Sequence, residues 1–168
     1  MNAVPPFDTE RIRRLALLPV AGVMGLSGVR LGAAQLDIRQ MIALGQATVT
    51  NSPIDIGTIQ NVFDRNTNTL ARSQAVNPMV VTMSFSQSKR LSRSRVWFLG
   101  QDNRWRVETA DTLADLDSGT GSFLVVLDWE TGAQATWHDR TIADPAPCKF
   151  VRLKLNRLTG DDYVHLND

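Results

Sequence analysis

Between Asn61 and Ser73 the chain reads Asn-Val-Phe-Asp-Arg-Asn-Thr-Asn-Thr-Leu-Ala-Arg-Ser, crowding an acid, several amides and several hydroxyls behind the apolar pair Val62-Phe63. Oxygen-rich side chains at this density do one of two things. Either their oxygens and the carbonyls of a tight loop turn inward onto a ligand, or Asp64 and Asn66 bond the backbone two residues on and simply shape the turn.

Other reactive groups are sparse. Cys148 is the only cysteine, which excludes an internal disulfide and a thiolate zinc cage and leaves it as a small apolar residue near a strand start. His138 and His165 are the only histidines, and neither has a zinc-finger or metalloprotease spacing. No glycine-flanked nucleophile serine and no phosphate-cradling glycine loop is present, and no pair of carboxylates stands out from ordinary loop acids, so the chain reads as non-enzymatic. Lys89, Arg90, Arg93, Arg95, Arg104 and Arg106 interleave with Trp97 and Trp105, a mixture able to grip phosphates and stack on bases. Arg93 and Arg95 nevertheless share a side that Val96 and Phe98 do not, and Glu108, Asp111, Asp115 and Asp117 follow at once. A solvated sheet face, with no nucleic-acid partner, is the expectation.

The elements that must position these groups are short. From Met41 onward, alternating or continuous apolar runs are punctuated by Gly, Asn, Asp, Ser and Pro. Strands are predicted over Met79 to Phe85, Leu91 to Leu99, Trp105 to Ala110, Ser122 to Trp129, Ala133 to His138, Lys149 to Leu155 and Tyr163 to Leu166. In Lys149 to Leu155, the apolar Val151, Leu153 and Leu155 alternate with Arg152 and Lys154, giving a dry face and a wet one. The continuous run Phe123 to Leu127 predicts a central strand covered on both sides. No sustained helical periodicity is visible after residue 45. Many short strands without interleaved helices imply two packed antiparallel sheets, an all-β fold.

The 168 residues suit one domain that buries roughly 70% of its unfolded surface, plus an extension. With 43% hydrophobic and 21% charged residues and a net charge of +1, any electrostatic partner must be recognised by a local patch. Residues 1–40 read as an N-terminal arm or a signal-like segment: three arginines lie between Arg11 and Arg14, ahead of the uncharged run Leu15 to Val29. That run is shorter than the ~20 residues needed to cross a bilayer, so no transmembrane span is expected. As an arm, its apolar residues imply a neighbouring surface.

Residues 41–168 resemble the discoidin family, the coagulation factor five/eight type C or galactose-binding-like domains, to which the family 32 carbohydrate-binding modules are related. The resemblance rests on Ile42 to Ala47 as an opening strand, Asn61 to Ser73 as the first long loop, Asn77-Pro78 with the strand after it, and the closing pieces Phe150-Val151-Arg152-Leu153 and Asp162 to Leu166. It implies a jelly-roll β-sandwich of two antiparallel sheets with an N-terminal extension. It also implies a structural calcium ion held by Asp64, Asn66 and Thr69, with Asp168 in place of the usual closing glutamate and Arg65 where glycine is usual. In sugar-binding relatives an aromatic ring stacks on a pyranose while polar side chains bond its hydroxyls, which makes Trp137, His138 and Arg140 the candidate ligand residues here. Strand alternation puts Trp137 and His138 on opposite faces. The function implied is a binding module for a carbohydrate or similar surface ligand, presented by loops at one end of the sandwich, in an extracellular or secreted protein. The competing expectation is a structural subunit of an extracellular or virion-type assembly, docking on a protein surface or neighbouring subunits through the sandwich and residues 1–40.

Overall fold

The computed structural model describes residues 37–99, 103–160 and 162–168. The expectations for residues 1–36, signal or arm, therefore lie outside the described residues. The chain enters through a short helix, α1 (Ile38–Ala43), whose N-terminus is capped by the Asp37 carboxylate accepting from the Gln40 amide at 3.0 Å. Ile38 and Met41, one turn apart, are buried in the core, so this helix belongs to the sandwich. Gly45, at φ +66°, turns the chain into the first strand. The opening strand expected at Ile42 to Ala47 is thus displaced: Ile42 and Ala43 close α1, and pairing begins only at Ala47.

Among the described residues ten strands follow: β1 (Ala47–Asn51), β2 (Ile54–Gly57), β3 (Ala71–Ser73), β4 (Met79–Arg90), β5 (Arg93–Phe98), β6 (Asn103–Ala110), β7 (Leu124–Gly132), β8 (Thr136–Thr141), β9 (Pro147–Arg157) and β10 (His165–Leu166). One sheet runs β1-β4-β9-β6-β7, another β10-β3-β2, and β5 pairs with β8, with every pairing antiparallel. Backbone bonds tie the last two groups together: the Trp97 amide donates to the Asp168 carbonyl, and the Trp97 carbonyl accepts from the Asn167 and Asp168 amides at 3.1 and 3.2 Å. The result is an all-β sandwich whose core joins both layers. Met79, Val81, Trp105, Val107, Leu153 and Leu155 come from one side, and Ala71, Val96, Phe98 and Leu166 from the other.

Alternation decides what each strand buries. In β9, Val151, Leu153 and Leu155 are buried while Arg152 and Lys154 are half-buried on the other face, as the sequence pattern requires. The run around Phe123 to Leu127 behaves differently from expectation. It forms β7 at the edge of its sheet, with Leu124 45% and Val125 39% exposed, so it is not a covered central strand. A second helix, α2 (Leu113–Ser118), also breaks the strand-only expectation. Thr112 caps it through the Asp115 amide at 3.1 Å, Gly119 ends it at φ +66°, and Leu116 alone is buried. Six residues with one buried position leave no readable period.

Candidate functional site

The polar loop begins with a 3-10 helix, Ile59–Phe63, anchored by buried Val62. Asn61 secures its far end by donating from Nδ2 to the Leu70 carbonyl at 2.8 Å. The Asp64 Oδ1 accepts from the Asn66 amide at 2.8 Å, and the Asn66 Oδ1 accepts from the Asn68 amide at 3.1 Å, two consecutive turns of the Asx type. Arg65, between them, takes φ +61°, the left-handed conformation that glycine adopts more readily, and its guanidinium lies 3.4 Å from the Asp37 carboxylate.

Oxygen then converges on Thr69. Its hydroxyl lies 2.7 Å from the Asn66 carbonyl, 2.8 Å from Asp64 Oδ2 and 3.5 Å from the Asn61 carbonyl. A threonine hydroxyl has one proton and can satisfy only one of these acceptors. Asn167, fully buried, closes the loop from the C-terminal side, with Nδ2 donating to the Thr67 and Thr69 carbonyls at 3.1 and 2.6 Å. Its Oδ1 is buried without a partner among the described residues. Burial raises the carboxyl pKa of Asp168, and the nearby Asp64 charge raises it further, against the opposing pull of Arg95 and Arg65. The structure thus knots Asp64, Asn66 and Thr69 together and puts Asp168 within electrostatic reach. A hard cation takes such a set of carboxylate, hydroxyl and carbonyl oxygens, and the surplus of acceptors over protons is what it would relieve. Among the described residues no three His, Cys, Asp or Glu side chains converge as a metal site.

The second candidate, Trp137-His138-Asp139-Arg140, lies in β8 and is divided by the strand. His138 is buried: its ring stacks on Phe98 at 4.7 Å, lies 5.0 Å from Trp105, and bonds the Ala133 carbonyl through Nε2 at 2.6 Å. Arg140 shares that face and pairs with Glu130 at 3.3 Å. Trp137 points the other way. Its register partner is Trp97, edge-on at 5.5 Å, and the Arg95 guanidinium lies 3.8 Å over its ring. His138 is therefore a core residue, and of the three candidates only Trp137 stands on the outward face of the β5–β8 ribbon.

The basic stretch is likewise split. Arg93 pairs with Asp139 on the ribbon, which holds that carboxyl below its usual range through the hydrogen bond and then the charge. On the opposite sheet, Arg106 and Lys154 both lie against the buried Glu108, at 3.0 and 2.9 Å, while Arg104 stacks on Trp129. Cys148 is buried, and desolvation, helped by the Asp111 charge, pushes its thiol up to about 11, which removes it as a nucleophile.

The chain folds like known modules. One is a family 32 carbohydrate-binding module of NanJ from C. perfringens, solved with galactose, at 9% identity and a TM-score of 0.56 over 73% of this chain and 90% of that one. Another is chitosan-binding module 1 of a chitosanase/glucanase from Paenibacillus sp. IK-5, at 18% identity and a TM-score of 0.56 over 72% and 90%. This is the fold of the family 32, galactose-binding-like modules. A third match lies inside a larger enzyme, a Ruminococcus gnavus GH29 fucosidase solved with fucose, at 12% identity and a TM-score of 0.55 over 74% of this chain but 24% of that one. No family model matches the sequence, and no curated protein matches it.

On this galactose-binding-like frame, two contributing residues carry no assignment from the sequence, Trp97 and Asn167. Arg95 is legible as a solvent-facing residue, and Trp97 shares its face because both alternate with the buried Val96 and Phe98. That Trp97 stands beside Trp137 is not legible, since strand pairing is invisible in sequence. Asn167 gave no signal, because its role depends on carbonyls a hundred positions earlier.

Proposed function

We propose that this protein is a non-catalytic carbohydrate-binding module whose sugar stacks on Trp137, with a structural calcium ion in the loop knot. The observation that supports the first part is the outward, half-buried Trp137 beside Trp97, on a fold whose solved relatives include a module in complex with galactose and one named for binding chitosan. An indole at this depth offers an apolar surface to the C–H groups of a pyranose while its edge is held by neighbours. The ligand surface is the ribbon's outer face, reached without the buried His138.

Asp64, Asn66, Thr69 and Asp168 would hold the calcium, which in that position would supply positive charge to a loop whose oxygens exceed its protons. Its role there is to hold the loop and not to touch the sugar.

A glycan array probed with the intact chain, in calcium and in chelator, tests the reading. Binding to at least one glycan class is expected, with Trp137→Ala strongly weakening it while the circular dichroism spectrum stays native. An array without any positive glycan in either buffer would overturn the proposal.

A further inference from the structure

The outward face of the β5–β8 ribbon carries an asymmetry in its charges. Register pairs Arg93 with Thr141, Arg95 with Asp139 and Trp97 with Trp137, so these side chains share one solvent-facing surface, while Val96, Phe98 and His138 on the intervening positions are buried. Of the two guanidinium groups, Arg93 has its counter-ion in Asp139. Arg95 is exposed and, among the described residues, has no carboxylate within ion-pair distance. It is parked instead over the face of Trp137 at 3.8 Å.

That position sets a condition on any ligand. The ring face over which Arg95 lies is occupied by a cation, and a neutral sugar that displaced it would forfeit the cation–π contact and return only uncharged hydroxyl acceptors to the guanidinium. A sugar bearing a carboxylate or sulfate returns a charge-assisted, two-pronged hydrogen bond to the same fork while its ring takes the indole face. Asp139, hydrogen-bonded to Arg93, and Asp168 feel the Arg95 charge through space, but neither forms an ion pair with it.

We infer that the ribbon's outer face selects anionic saccharides, with Trp137 as the stacking platform and Arg95 as the acid-binding fork. This rests on the carbohydrate-binding reading above and names the class of sugar. Arg95 acts directly on the ligand, and Trp97 holds the Trp137 ring from its edge.

Isothermal titration of the full chain against a tetragalacturonate, its fully methyl-esterified counterpart and a sulfated disaccharide separates charge from ring shape. The acid tetramer is expected to bind roughly tenfold to hundredfold more tightly than the ester, as one charge-assisted hydrogen-bonded pair allows. Arg95→Gln should erase that preference and leave weak binding of the ester. Arg95→Lys, which keeps the charge but not the fork, should fall between. Trp137→Ala should weaken all three sugars. Equal affinity for acid and ester, or a preference that survives Arg95→Gln, would overturn the anionic selectivity while leaving sugar binding in place. Binding of a short single-stranded oligonucleotide as tight as that of the tetramer would also overturn it, by showing plain polyanion attraction. Failure of these and all array sugars to bind would instead remove the underlying carbohydrate reading.

Discussion

Asn167 gives one amide proton to the Thr67 carbonyl and one to the Thr69 carbonyl from a position with no solvent exposure. Removing a buried donor leaves both acceptors unpaired, and each such loss costs about 1–3 kcal/mol. Asn167→Ala should therefore lower stability by roughly 2–6 kcal/mol, read as a shift of the urea midpoint at unchanged slope. Asn167→Asp is the sharper probe. It sets a carboxylate against two carbonyl oxygens with Asp64 and Asp168 close by, so it should be less stable than the alanine variant in chelator and recover when calcium is added. A variant that calcium does not restore would show that this knot of oxygens is not a seat for a cation.

Among the elements, β9 and β7 carry similar apolar residues in different places. Leu155 of β9 is fully buried between β4 and β6, whereas Val125 of β7 lies 39% exposed at the sheet edge. Leu155→Ala should cost about 2–5 kcal/mol through lost transfer energy and a residual cavity, and Val125→Thr should stay within about 0.5 kcal/mol. Equal costs in paired thermal melts would contradict the strand order. The same contrast shows what is legible in a sequence. Alternation in Met79 to Phe85 and in Lys149 to Leu155 reports which face is wet, because side chains on a strand must alternate. The continuous run at Phe123 to Leu127 reports only hydrophobicity, which an edge strand also tolerates. The two six-residue helices bury one or two residues each and so impose no period, and the opening strand was displaced by one of them. For the candidate site, the Asp64 loop was readable because its turn chemistry is local. The Trp97–Trp137 pair joins residues forty positions apart, and only the sheet brings them together.

At the scale of the whole molecule, the loop knot and the ribbon are not independent. The Trp97 backbone is bonded to Asn167 and Asp168, Asn167 clamps the loop carbonyls, and the Asp168 carboxyl feels both Asp64 and Arg95. A cation that gathered the Asp64, Asn66 and Thr69 oxygens with Asp168 would thus brace the segment on which β5 hangs. Binding only the folded state, calcium at a hundred times its dissociation constant should add about 2.7 kcal/mol, which for a domain of this size raises the melting temperature by roughly 10 °C. Magnesium, which demands tighter octahedral geometry and keeps its waters, should give a smaller shift, and excess chelator should reverse both. Asp64→Asn should abolish the response, because it removes the one loop carboxylate while preserving the Oδ1 that accepts from the Asn66 amide. Differential scanning calorimetry in chelator, calcium and magnesium measures all of this. A wild-type melting temperature that millimolar calcium leaves unmoved would mean that the loop is braced by its own hydrogen bonds and those of Asn61 and Asn167, with the sandwich and its ribbon complete without a metal.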